Sequence, residues 1–272
     1  MASEHHPSVD GGRTPSVLVV VPTLGERVET LHASLVSVRA QTDVSVHLVV
    51  VAPEDATAAR AIARDLGATV VDDPRRGLSA AVNAGVAARS DERFYAWLGD
   101  DDLLADGGLC WLANLLENEP GAVVAYGACT YIDDRGRTVT VSRAGDLASK
   151  ILAWGPDLVP QPASLTRMDA LLACGGYDET LKFAMDLDMF LRLKRHGTFV
   201  STKQETAAFR WHADSLTVAN RGKSLAESEA VKRRYLSRWA RPFALLWEVP
   251  VRLATRAAAR QVNVRARKVA AA

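Results

Sequence analysis

Strand-like and helix-like segments alternate through the first hundred residues, and nothing else in the sequence restricts the fold as strongly. Ser16 to Val21 is a continuous apolar run stopped by Pro22, which fits a strand buried on both faces better than a helix. Leu31, Leu35 and Val38 follow at helical spacing. Val46 to Val51 reads as a second strand and Ala56 to Leu66 as a second helix, ended by Gly67. Thr69 to Val71 reads as a third strand, Leu78 to Val86 as a helix with a small-residue face, and Phe94 to Leu98 as a fourth strand. This alternation builds a parallel sheet covered by helices, and ligands of such sheets sit beyond the carboxyl ends of the strands. Those ends carry Pro22-Thr23, Ala52-Pro53-Glu54-Asp55, Asp72-Asp73 and Gly99-Asp100-Asp101-Asp102. Three of the four are acidic, so the chemistry is expected along this rim.

A chain of 272 residues holds one large α/β domain with a modest appendage. A formal net charge of +1 argues against whole-protein attraction to nucleic acid. Cys110, Cys129 and Cys174 have no paired spacing and read as reduced thiols of a cytosolic protein. Residues 1–15 are polar, lack the apolar core of a signal peptide, and read as a disordered lead-in. No run approaches the ~20 apolar residues that span a bilayer.

After Asp102 the pattern changes. Val123 to Gly127 and Thr130 to Asp133 read as strands, and Thr138 to Val141 returns as a hairpin partner across Asp134-Arg135-Gly136. Met168 to Cys174 reads as a short helix stopped by Gly175-Gly176. Leu187, Phe190 and Leu191 share the face of another helix, and Phe199 to Ser201 and Ala207 to Trp211 read as closing strands.

Three adjacent carboxylates raise each other's pKa unless a cation or hydrogen-bond donors neutralise them. In an extended segment Asp100 and Asp102 would face one ligand while Asp101 faces away. Oxygen ligation of this kind suits Mg²⁺ or Mn²⁺ shared with substrate phosphates, although a solvated acidic loop capping a helix near Asp106 fits the same residues. Asp186 and Asp188 lie two residues apart at a helix start and point to nearly opposite sides. One can face a cleft while the other caps or takes a structural partner, and the helix dipole favours the ionised form there.

The ordered set runs Val21-Pro22-Thr23 with Arg27 and Leu31, then Gly77-Leu78-Ser79-Ala80-Ala81 with Asn83 and Gly85. It continues through Trp97-Leu98-Gly99-Asp100-Asp101-Asp102 and Pro160-Gln161-Pro162-Ala163-Ser164. It closes with Gly175-Gly176-Tyr177-Asp178-Glu179, Asp186-Leu187-Asp188, Arg210 and His212. In this order and spacing the chain resembles the inverting family 2 glycosyltransferases with a GT-A fold, from about Ser16 to Thr217. The resemblance implies a metal-dependent, hexosyltransferase-type enzyme. It implies that Pro22, Thr23, Glu26, Asn83, Asp100 and Asp101 hold the nucleotide and donor sugar. It further implies Mn²⁺ or Mg²⁺ on Asp102, Asp100 and His212, and Asp186 as general base. Gln161, Gly175, Gly176 and Asp188 fall on the acceptor side. The family's usual acidic turn after the second strand is replaced by Ala52-Pro53-Glu54-Asp55, which leaves Asp72 or Asp73 to read the base.

These residues predict a GT-A domain over 16–222 and a basic helical tail over 223–272. From Lys232 to Lys268 eleven basic residues stand against one acid, Glu248, interleaved with Trp239, Phe243, Leu246 and Trp247. Such a tail suits an anionic membrane surface; packing on the catalytic domain or on a sister subunit in a homodimer fits it too. Pro250 is expected to break or kink any helix there. The expected protein takes a nucleotide-diphosphate sugar and a glycan or lipid-linked acceptor, in bacterial cell-surface polysaccharide or glycolipid synthesis. It would work in the cytoplasm or at the inner face of the plasma membrane, without nucleic acid. A sugar-1-phosphate nucleotidyltransferase and a non-catalytic nucleotide-sugar subunit of a glycan assembly complex are the alternatives.

Overall fold

A computed structural model describes residues 14–143, 145–211 and 221–271. Four parallel strands, β1 (Ser16–Pro22), β2 (Ser45–Ala52), β3 (Thr69–Asp72) and β4 (Phe94–Trp97), stand in the order β3-β2-β1-β4. They are joined by α1 (Val28–Arg39), α2 (Thr57–Asp65) and α3 (Leu78–Ala87). The period of two along β1 divides the core. Val17, Val19 and Val21 pack with Leu31, Leu35 and Val38 of α1, whereas Leu18 and Val20 pack with Val82 and Val86 of α3. Gly67 ends α2 as the sequence predicts, at φ +70°, with its N–H donating to Arg64 O and that of Ala68 to Ala63 O. Gly85 lets α3 approach the sheet, since a β-carbon there would overlap Val20 Cγ1.

The sheet continues through β8 (Ser164–Arg167), β6 (Ala122–Ile132), β9 (Thr198–Arg210) and β5 (Leu103–Leu104), with β7 (Thr138–Ser142) paired to β6. Two pairs of expected strands are single strands. Gly127 to Cys129 stays extended because β9 pairs alongside through register shifts, and a side chain at 127 would overlap Thr206. The polar stretch 202–206 stays extended for the same reason, although nothing local marks it as strand. The remaining helices of this half are α4 (Gly108–Asn118), α5 (Gly145–Ile151), α6 (Met168–Ala173) and α7 (Met185–Leu193).

The tail forms α8 (Arg221–Tyr235) and α9 (Leu245–Ala271), so the expected boundary at 222/223 falls inside a helix. Pro250 does not break α9, which runs through it in its second turn. No helix among the described residues is long and apolar enough to cross a membrane. Cys110, Cys129 and Cys174 are free thiols.

Candidate active site

The rim is organised where β1 and β4 lie side by side, with β2 on the other flank of β1. Thr23 Oγ1 donates to Asp100 Oδ2 at 2.6 Å, tying the two strand ends together. Arg27, at the entrance to α1, reaches Asp100 and Asp101 with separate nitrogens, each at 2.6 Å. The expected shared face of Asp100 and Asp102 is not formed. Residues 99–102 make a turn closed by Asp102 N–H to Gly99 O at 3.2 Å, so period-two geometry does not apply. Asp100 and Asp101 meet on Arg27, while Asp102 turns inward and accepts the Arg210 N–H at 2.9 Å. The Arg210 guanidinium donates to the carbonyls of Asp101, Asp133 and Asp134, fixing the turn from below.

Burial pushes the Asp100 carboxyl up, and its bonds to Thr23 and Arg27 oppose the shift. Asp102, only 4% exposed, is pushed up to about 8 by burial and then by Asp101 and Asp100, against the Arg210 N–H. Pro22 is buried and Glu26 is exposed. Asp72 is exposed at the end of β3 and accepts from Arg60, while Asp73 accepts the Arg75 N–H. Both residues stand at the carboxyl end of β3.

The opposite wall carries Asp186, the second residue of α7. Its Oδ1 accepts the indole N–H of Trp97 at 3.0 Å, and Gln161 Nε2 donates to Trp97 O at 2.7 Å. Trp97, which holds Asp186, thus stands three residues before Asp100, so the end of β4 joins the aspartate turn to the α7 carboxylate. The dipole argument for an ionised Asp186 is outweighed: burial raises its carboxyl to about 7, opposed by the Trp97 bond and reinforced by Asp157. Asp188, expected on the acceptor side, is instead 3% exposed, bonded to Arg192 at 2.8 Å and to the Tyr235 hydroxyl at 2.9 Å. It supports the wall from behind. Asn83, expected on the donor, commits its amide to the backbone of Tyr177, accepting its N–H and donating to its carbonyl. Gly175 and Gly176 both take positive φ in this turn, and a β-carbon on Gly176 would meet Asn83 Oδ1 at 2.9 Å.

Several supports carry no signal that assigns them a role in sequence. Arg27 and Trp97 stand within the recognised motifs, but only the fold shows what they hold. Glu227, in α8, accepts the backbone N–H groups of Lys182 and Phe183 in the segment leading into α7 and that of Ala184, its N-cap residue. Tyr235 and Arg234 of the same helix reach Asp188 and Asp178, and Lys232 donates to Gly155 O.

The donors near the rim are carboxylate oxygens, which fit a hard divalent ion bridged to substrate phosphates better than an all-protein cage. Among the described residues no group of three or more His, Cys, Asp or Glu side chains is assembled to hold a metal. His212, the third expected ligand, lies outside the described residues. Asp102 fits the expectation chemically, because a carboxylate raised by burial and by neighbouring like charges is one that a cation would return to its ionised form.

The fold matches that of S. aureus TarS, with a TM-score of 0.60 at 15% identity, over 85% of this chain and 42% of TarS. The chain thus spans about two fifths of that structure's length. A TarS fragment in complex with UDP-GlcNAc matches with a TM-score of 0.61 at 15% identity, over 85% of this chain and 70% of the fragment. The fragment in complex with UDP matches with a TM-score of 0.57 at 15% identity, over 79% of this chain and 65% of the fragment. These likenesses establish a GT-A fold. No curated protein matches the sequence. The model of glycosyl transferase family 2 matches residues 18–171, more than half of the 272 residues, and contains the rim, Asp100 to Asp102 and Gln161. The chain belongs to glycosyl transferase family 2.

Proposed function

We propose that this protein transfers a hexosyl group from a nucleotide-diphosphate sugar to an acceptor hydroxyl, with inversion at the anomeric carbon. The observation that carries the reading is the Trp97–Asp186 hydrogen bond, which joins a near-neutral carboxyl to the strand end bearing Asp100 and Asp101. A base with a pKa near the working pH takes a proton only as the new bond forms. The acceptor oxygen bonds to the anomeric carbon, its proton passes to Asp186, and the bond to the diphosphate breaks with release of nucleoside diphosphate. Thr23, Asp100 and Asp101 orient the donor on the rim, with Asp72 or Asp73 placed to contact the base. Gln161, Gly175 and Gly176 shape the acceptor side. When bound, Mn²⁺ or Mg²⁺ on Asp102 and His212 would supply Lewis-acid stabilisation to the departing diphosphate. TarS was solved with UDP and UDP-GlcNAc, so uridine donors are the first to try. We assign the acceptor to bacterial cell-surface glycans or glycolipids, reached at the inner face of the plasma membrane.

The test is thermal shift with UDP, GDP and other nucleoside diphosphates, with and without Mn²⁺, followed by assay of nucleoside diphosphate release. A ligand at 100 times its Kd stabilises by about 2.7 kcal/mol, equivalent to roughly 5–10 °C for a chain of this size. No stabilisation by any nucleotide would remove the donor site. Release of pyrophosphate instead of nucleoside diphosphate would make the protein a nucleotidyltransferase.

A further inference from the structure

The long helix α9 has two unlike faces. Its inner face is fixed to the catalytic domain. Arg233 and Arg252 clasp Glu248 and Glu229, joining α9 to α8, and Asn263 accepts the Trp211 indole N–H at 2.8 Å. Its outer face carries Leu246, Val249, Leu253, Arg256, Arg260, Val264 and Arg267, separated by three or four residues and so forming one stripe. Every one of these residues is exposed, Leu246 by 75%. Trp239, 77% exposed, and Phe243 extend the apolar end beyond the helix, with Arg238 and Arg241 beside them. The stripe thus starts apolar and becomes basic, and no acidic residue follows Glu248 in the sequence.

We propose that this face is a docking surface for an anionic lipid bilayer, with Trp239, Phe243, Leu246 and Leu253 entering the headgroup boundary and Arg256, Arg260 and Arg267 meeting lipid phosphates. Charge decides the occupant. A second copy laid on the same stripe would set arginines against arginines or against apolar residues, with no acid in the stripe to pair them, whereas an anionic surface complements all of them. An apolar patch of this kind on a soluble surface marks a contact site, and basic residues beside aromatic ones are the composition of interfacial helices. Trp211, against the inner face of α9, directly follows Arg210, whose N–H meets Asp102. Docking would therefore couple the bilayer, through α9 and Trp211, to the turn that carries Asp102. Only that use of the surface, presenting a lipid-linked acceptor, rests on the proposed function; the docking does not.

The experiment is co-sedimentation of the full chain with vesicles of phosphatidylcholine, alone or mixed equally with phosphatidylglycerol, at low and high salt. Binding is expected only to the mixed vesicles, weakened by salt. The double variants Leu246→Ser with Leu253→Ser, and Arg256→Glu with Arg260→Glu, should each lower the bound fraction about tenfold or more. Thermal stabilisation by UDP should stay unchanged in both, which separates this inference from the donor reading. Equal binding to neutral vesicles, or unaltered binding by both variants, would overturn it. So would a dimer in light scattering that the same variants split, which would make a second copy the occupant.

Discussion

Asp186→Asn separates what this residue does for the reaction from what it costs the fold. Burial raises the carboxyl from 3.8 to about 7. A gap of about 3 units at ~1.4 kcal/mol each sets a ceiling near 4 kcal/mol on the folded-state penalty of the ionised form. The sign follows from proton counts. Between those two pKa values the folded chain binds more protons than the unfolded one, so stability falls as pH rises through this window and is lowest above about 7. Asparagine keeps an oxygen for the Trp97 indole and carries no charge. Asp186 is partly exposed, so water relieves some of the penalty, and about half the ceiling is expected to survive. The variant should melt with the parent near pH 4 and exceed it by roughly 4–8 °C above pH 7. Melting curves across this range, with nucleoside diphosphate release measured in parallel, check both halves. A variant that gains nothing at high pH would refute the assignment of a strained carboxylate, and one that still transfers sugar would refute the base.

Trp97→Phe removes the indole donor, and a hydrogen bond to a charged acceptor contributes ~1.5–3 kcal/mol. The acid limb of the kcat/KM profile should move upward by about one to two pH units, and an unmoved limb would assign that limb to another group. Glu227→Ala should cost about 1–3 kcal/mol in urea unfolding, because it leaves backbone donors without their charged acceptor, and should lower kcat; Glu227→Gln should recover part of both. Gly85→Ala should destabilise by about 1–3 kcal/mol, because the added carbon meets Val20. Unchanged urea midpoints would mean that α3 can shift off the sheet.

What the sequence revealed and what it hid divide along local and non-local interactions. Strands β1 to β4 were legible because each is an apolar run ended by a turn or a glycine. The ends of those strands carry the rim aspartates, so the rim was legible with them. Local pattern does not join the two halves of β6 across Ala128 and Cys129, or those of β9 across 202–206, where only pairing with each other keeps the chain extended. The side chains of Asp100 and Asp102 were assigned one face on the assumption of extended backbone, which the turn at Gly99 removes. No local pattern links Glu227 to Ala184, because 43 residues separate the hydrogen-bonded pair.

The same non-local bonds decide where the catalytic unit ends. A family match that stops at residue 171 omits Asp186, and a boundary at 222 omits Glu227, Lys232, Arg234 and Tyr235. Without Glu227, the N–H groups of Lys182, Phe183 and Ala184 lose the acceptor that fixes the entry to α7. Asp188 would keep Arg192 but lose Tyr235. Asp186 lies between these two points of attachment, and its contact with Trp97 is a single hydrogen bond. A carboxyl held near 7 by burial needs a wall that does not open to water, because solvation would return it toward an ordinary carboxylate. If Asp186 is the base proposed above, helix α8 positions it through the rigidity it gives that wall, although none of its described side chains bonds to Asp186.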